Sequence, residues 1–93
     1  MSKRRFILER LSDGGLLPMD SFPGNPIVEI AGDKRVLIEN HMGVKAYGRE
    51  KITVSVTYGS LSVCGCNLEL LKMTREQLVI QGRIDAIMLQ RRG

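Results

Sequence analysis

From residue 27 onward, apolar and polar residues alternate in short runs that are separated by turn-forming residues. In the clearest run, residues 52–58, apolar side chains alternate with Thr and Ser. Period-two alternation of β-branched residues is typical of a strand with one buried face. Similar runs cover residues 27–31, 36–39, 44–47, 61–65, 67–71, 78–82 and 84–89. The pattern therefore predicts an all-β domain of about eight short strands.

The connections between these runs are too short to hold crossover helices, so neighbouring strands are predicted to pair mostly antiparallel. A meander, a roll and a small barrel all satisfy the pattern. The core is expected to be aliphatic, because aromatic residues make up only 4% of the chain. A β region this small buries only about 60% of its unfolded surface, and nothing in the sequence covers its edge strands. Both properties favour self-association or docking onto a partner.

The N-terminal residues follow a different pattern. Residues 3–12 predict a short amphipathic helix, which needs a partner because isolated helices of this length are marginal in water. Its basic residues are Lys3, Arg4, Arg5 and Arg10, and its apolar residues are Phe6, Ile7 and Leu11. Residues 16–26 contain three prolines and predict an extended linker. The chain is therefore divided into a helix and linker over 1–25, an all-β domain over 26–90 and a basic tail over 91–93.

The positive charge is concentrated at the two ends of the chain. The net charge is +4, but residues 1–10 carry +3, residues 91–93 carry +2, and residues 11–90 sum to −1. Basic ends on a nearly neutral domain suit an anionic surface, either lipid headgroups or loosely bound nucleic acid. They are equally compatible with a role in solubility alone. A dedicated nucleic-acid-binding domain would carry its basic residues on the β region.

The apolar runs and the cysteines predict the cellular compartment of the protein. No apolar run is long enough for a transmembrane helix, and none follows the basic N-terminus as a secretory signal would. Cys64 and Cys66 are one residue apart and do not form a disulfide framework. We therefore expect a cytoplasmic protein.

Few residues are candidates for chemistry. His41, the only histidine, lies in a predicted turn, either as a general base or metal ligand or as a polar residue that caps backbone groups. Together with Cys64 and Cys66 it could supply three zinc ligands, although structural zinc sites normally use four. The alternative is that the two thiols are half-buried strand residues flanking Gly65. With no catalytic triad and no phosphate-binding loop, the sequence predicts neither enzyme activity nor a cofactor.

Several short segments carry a family resemblance. They are Ile30–Gly32, Val36–His41 with Gly43, Gly59–Val63 with Gly65, and Leu78–Ile84. In this order and spacing, residues 27–89 resemble the YabP/YqfC family of sporulation proteins, and the YqfC branch in particular. The more specific residues are Ile38, Glu39, Asn40, His41 and Gly43 in the first turn, and Gly82, Arg83 and Ile84 in the closing segment.

The resemblance implies a function that composition alone does not. It implies a small non-enzymatic protein of endospore-forming bacteria, made in the mother cell and needed for endospore formation. Family members are encoded beside membrane proteins, of the YqfD type for the YqfC branch, so an assembly or adaptor role with itself or such a partner is expected. The N-terminal residues are expected to contact that partner or the forespore membrane. The alternatives are a small nucleic-acid-binding β-barrel and a metal or redox protein that uses Cys64, Cys66 and His41.

Overall fold

A computed structural model of the protein describes residues 24–92. The predicted helix over residues 3–12 lies outside the described residues. Six strands account for the regular structure: β1 (Ile27–Ala31), β2 (Arg35–Glu39), β3 (Val44–Tyr47), β4 (Lys51–Val56), β5 (Gly59–Met73) and β6 (Gln77–Arg91). They form one sheet in the order β1-β2-β6-β5-β4-β3, and every neighbouring pair is antiparallel. The all-β class and the antiparallel pairing are therefore confirmed.

The predicted number of strands is wrong. Two pairs of predicted strands, 61–65 with 67–71 and 78–82 with 84–89, are each part of a single 15-residue strand. The interruptions in the alternation are β-bulges, and the β5–β6 register shifts at three places. Bulges add residues to one strand without ending it, and they bend the pair. The glycines that looked like turn signals lie where the two backbones approach each other, which explains why no side chain is placed there.

The two halves of the long β5–β6 hairpin have different neighbours. The hairpin closes at the Thr74–Glu76 turn, as predicted, and β2 pairs with β6 only over residues 77–81. In the other half, β4 pairs with residues 59–64 of β5. The hairpin thus joins β1 and β2 to β3 and β4.

The core is aliphatic, as predicted, and it is shared by both halves of the sheet. Ten side chains are fully buried in one cluster: Val36, Ile38, Ile52, Val54, Val56, Leu61, Val63, Leu68, Leu78 and Ile80. A single sheet can hide one face from water this completely only by curling over itself. The fold is therefore a rolled antiparallel sheet rather than a flat meander, and burial of these side chains is its main source of stability.

Candidate functional site

The turn after β2 holds three chain segments together. Asn40 adopts a left-handed backbone conformation with φ of 63°, which Asn tolerates better than most residues. Its backbone N–H donates to the carbonyl of Glu76 at 2.7 Å, and its side-chain amide donates to the carbonyl of Asn25 at 2.9 Å. Asn40 thus links the start of β1 and the β5–β6 turn to the end of β2.

His41 completes this connection. Its Nδ1 accepts a hydrogen bond from the backbone N–H of Gly43 at 3.0 Å, and its Nε2 lies 2.7 Å from the carbonyl oxygen of Thr74. Because a carbonyl oxygen only accepts, Nε2 must carry the proton. Both ring nitrogens are therefore used to cap backbone groups, which is the turn role that the sequence offered as the alternative to a base or metal ligand.

The second of the more specific segments of the resemblance, Gly82–Ile84, is held by close backbone packing. Gly82 has φ of 147°, and a Cβ there would lie 2.7 Å from the carbonyl oxygen of Asn67. Its N–H donates to the carbonyl of Lys34 at 3.0 Å, and the N–H of Ile84 donates to that of Asp33 at 2.7 Å. This segment fastens the bend of β6 to the β1–β2 turn.

Arg83, between them, is exposed and forms a two-point ion pair with Asp85. Its Nε and a terminal nitrogen each lie 3.2 Å from one carboxylate oxygen of Asp85. These hydrogen bonds and the carboxylate charge raise the pKa of Arg83. The guanidinium stays charged in any case, so the pair fixes its direction rather than its charge state.

The segments that resemble the family have separate structural roles. Ile38 is buried in the core, and Glu39 accepts a hydrogen bond from the Gln77 side chain at 2.8 Å. His41 contacts the β5–β6 turn, whereas Gly82–Ile84 contacts the β1–β2 turn. The two segments therefore stabilise different turns of the sheet.

The two cysteines are half-buried strand residues, as one of the two interpretations of the sequence predicted. Cys64 and Cys66 are free and half-buried in β5, on either side of Gly65. Within residues 24–92 no group of three or more His, Cys, Asp or Glu side chains is arranged to hold a metal ion. None of the elements in this part of the chain is a helix that could cross a membrane.

The first and last described residues lie beside the same turn. Asn25, near the first described residue, has its side-chain oxygen 3.4 Å from the Thr57 hydroxyl. At the other end, the Arg92 N–H donates to the carbonyl of Tyr58 at 2.9 Å, and the Arg92 guanidinium reaches the carbonyl of Thr57 at 3.1 Å. The Arg91 guanidinium lies 5.8 Å from the centre of the Tyr58 ring. The β4–β5 turn therefore lies beside both the entry of the N-terminal segment and the basic C-terminal tail.

The basic and apolar residues of the N-terminal segment, from Lys3 to Leu11, lie outside the described residues. The importance of Asn25, Thr57 and Tyr58 was not foreseen from the sequence. Their only signal is their position beside turn residues, and nothing in the local pattern says that this turn meets the two chain ends.

Exposed apolar side chains are the other feature that the sequence did not locate. The large exposed ones are Ile30, Met42, Tyr47, Leu71, Met73, Met88 and Leu89. Four of them lie in the halves of β5 and β6 that have a strand neighbour on one side only. The available signal was the run Ile87–Leu89, in which three consecutive apolar residues break the alternation.

Comparison with known proteins gives one family and one relative. A profile described as the YabP family matches residues 24–93. The protein YqfC of Bacillus subtilis (strain 168), described as uncharacterized, is 22% identical over 71 residues, which span 76% of each chain. No solved structure shows a significant match.

Proposed function

Because the chain belongs to the YabP family, we propose that it is a sporulation protein that acts without catalysis, as a small assembly module docked peripherally at the forespore membrane. The observation that carries this proposal is the position of Asn25 and Arg92, near the two ends of the described residues, beside the same β4–β5 turn. Arg91 and Arg92 therefore lie at the end of the domain where the described residues begin, and we propose that the basic residues of the N-terminal segment act on the same anionic surface.

Charge at one end supports membrane docking for a physical reason. A basic residue close to an anionic bilayer contributes about 1 kcal/mol of binding energy, and this contribution disappears beyond a Debye length. Charges spread over the whole domain could not all reach one flat surface. Arg91 and Arg92 can do so together with a tethered N-terminal segment, for which we propose that Phe6, Ile7 and Leu11 add insertion into the headgroup region.

An assembly role is supported by the hydrogen bonds of His41 and by the exposed strand edges of the hairpin. Both ring nitrogens of His41 form hydrogen bonds with backbone groups, so this residue has a structural role. The long hairpin, in contrast, leaves strand edges and apolar side chains available for a partner. A co-encoded membrane protein of the YqfD type and a second copy of this chain are the partners proposed.

The membrane part is tested by sedimentation of the full chain with vesicles. Vesicles containing phosphatidylglycerol are compared with neutral phosphatidylcholine vesicles at low and high salt. We expect binding to the anionic vesicles only, weakened by salt. Replacing Arg4 and Arg5 with Gln should weaken it roughly 30-fold, as expected from two charges at about 1 kcal/mol each.

The matched control removes two charges from the other end of the domain. The control is the double variant Lys34→Gln, Arg49→Gln. Both side chains are exposed, and the backbone carbonyls of the two residues accept hydrogen bonds from Gly82 and Leu68, where the hairpin bends. This variant should leave vesicle binding unchanged. If both double variants weaken binding equally, or if deleting residues 1–12 has no effect, the docking proposal is wrong. Steeply salt-dependent binding to nucleic acid but not to vesicles would favour the nucleic-acid alternative instead.

The biological part is tested in the endospore-forming host. Deletion of the gene should lower the count of heat-resistant spores, and a fluorescent fusion should outline the forespore in the mother cell. The same fusion should co-purify with the co-encoded membrane protein from detergent extracts. A normal spore count in the deletion strain would contradict the sporulation role, whatever the vesicle experiment gives.

A further inference from the structure

We propose that the open stretch of β6, residues 85–91, pairs with the same stretch of a second copy of this chain, antiparallel about a two-fold axis near Met88. The inference rests on the assembly role proposed above and assigns it to one surface. Backbone pairing at a free strand edge is a common way for β proteins to recognise a partner.

The edge is open because β2 stops early. After residue 81 of β6 only two further hydrogen bonds reach the β1–β2 turn, from the N–H groups of Gly82 and Ile84. Beyond Ile84, β5 is the only strand that pairs with β6 among the described residues. Because the Arg92 N–H points to β5 and directions alternate along an antiparallel strand, the N–H and C=O groups of Ile87, Leu89 and Arg91 point outward.

The side chains of this stretch favour contact with another apolar surface. Leu89 is 66% exposed and pairs across the sheet with the buried Leu61, so it lies on the core-facing side. Ile87 packs partly against the core on the same side. Met88, on the opposite side, is 48% exposed. Ile87 also lines a groove of about 380 Å³ with Ile30 and Ile84.

Other free edges among the described strands carry charges that normally discourage pairing, whereas the centre of this stretch carries none. Lys45 lies on the edge strand β3, and Glu69 and Lys72 lie on the open half of β5. From Ala86 to Gln90 the β6 stretch has neither a charge nor a proline. Charged residues and prolines are the usual protection of natural sheet edges, so β6 is the edge most suited to a partner strand.

Charge complementarity identifies the partner as a second, antiparallel copy. The stretch begins with Asp85 and ends with Arg91, followed by Arg92. A parallel copy would place like charges side by side, whereas an antiparallel copy brings Asp85 of each chain level with Arg91 of the other. With Met88 on the axis, the outward-pointing backbone groups of Ile87 meet those of Leu89 in the second copy. Leu89 of the second copy then covers Ile87 and the groove beside Ile30.

This register predicts a specific cross-link. Met88 would face its own counterpart in a non-hydrogen-bonded pair, where Cα atoms are about 4.5 Å apart and within reach of a disulfide. In the full chain with Cys64→Ser and Cys66→Ser, we introduce Met88→Cys and oxidise with copper phenanthroline, which accepts the two electrons released by the two thiols. We expect a disulfide-linked dimer on a non-reducing gel.

Met73→Cys in the same background is the matched control. Met73 is 51% exposed and lies in the open half of β5. We expect Met88→Cys to cross-link at least about tenfold faster than Met73→Cys, because only residue 88 lies on the axis. Equal rates for the two variants would overturn the proposed register and surface.

The mass of the full chain by light scattering provides the second test. The unmodified protein should be a dimer. Leu89→Lys should be a monomer with an unchanged circular dichroism spectrum, because Leu89 is mostly exposed within one chain. Leu71→Lys, at 49% exposure on β5, should remain a dimer.

A monomeric unmodified protein, or a dimer unaffected by Leu89→Lys, would overturn the inference. A monomer in which a thiol at position 88 is nevertheless slow to alkylate would identify the chain's own N-terminal segment as the occupant. A monomer that still binds vesicles and supports sporulation would reject this inference and leave the proposed function standing.

Discussion

The two halves of β6 are parts of one continuous strand, yet they differ in almost every physical respect. Over residues 77–81 the strand has β2 on one side and β5 on the other, and Leu78 and Ile80 are completely buried. Over residues 85–91 its only strand neighbour within residues 24–92 is β5, and none of its side chains is buried. Both halves are rich in apolar residues. Burial is therefore decided by the number of neighbouring strands rather than by local composition.

The largest expected effect comes from removing equivalent side chains in the two halves. Ile80→Ala should lower the free energy of unfolding by about 3–4 kcal/mol, because it opens a cavity in a fully packed core. Ile87→Ala should cost about 1 kcal/mol, because this side chain is only partly buried. Urea unfolding followed by circular dichroism measures both. Equal losses would show that the outer half is as well packed as the inner half, and would contradict the comparison.

The junction between the halves should be nearly as sensitive. Gly82→Ala places a Cβ 2.7 Å from the Asn67 carbonyl oxygen at a backbone angle that side chains rarely adopt, and we expect a loss of about 2–3 kcal/mol. Gly32→Ala is the control, since Gly32 also has positive φ but no atom within 4 Å of its Cβ position. It should cost only about 1 kcal/mol, from backbone strain alone. A Gly82 variant no less stable than the Gly32 variant would show that the two strands separate easily at the bend.

The smallest of the three effects concerns His41, which connects the turn after β2 to the β5–β6 turn. His41→Ala removes the hydrogen bonds to Gly43 and Thr74, and we expect a loss of about 1–2 kcal/mol together with faster hydrogen exchange in the β5–β6 turn. Met42→Ala, in the same turn but 63% exposed, should change stability by less than about 0.5 kcal/mol. If His41→Ala were equally harmless, His41 would not be the structural connection described above.

The sequence predicted the strands that follow a simple rule and missed those that do not. The strand predicted over residues 52–58 corresponds to β4, because its period of two matches burial on one side, but β4 ends at Val56 and residues 57 and 58 form the turn. At Gly65 and Gly82 the alternation stops, and the prediction ended a strand at each. A glycine required by close backbone packing and a glycine required by a turn look identical in a sequence. Only the partner backbone, here Asn67 opposite Gly82, distinguishes them.

For the candidate site, the sequence predicted which residues matter but not which distant residues they contact. The resemblance identified His41 and Arg83, and the turn role of His41 was already among the alternatives. It could not be seen that Thr74, 33 residues away, supplies the carbonyl for its Nε2. In the same way, the charges at the two ends were evident, but the meeting of Asn25 and Arg92 at Thr57 and Tyr58 depends on the path of the chain between them.

By itself, the sequence determined the all-β class, the antiparallel pairing, the aliphatic core, the basic ends and the family resemblance. These properties follow from local periodicity, short connections and composition, none of which depends on which distant residues come into contact. The tertiary structure alone decided that the eight predicted strands are six between residues 24 and 92, that Asn25 and Arg92 meet at one turn, and that residues 85–91 of β6 pair with no described strand other than β5. These properties depend on contacts between residues distant in sequence, because a strand's neighbours, and not its own residues, determine which of its hydrogen bonds and apolar side chains remain unsatisfied.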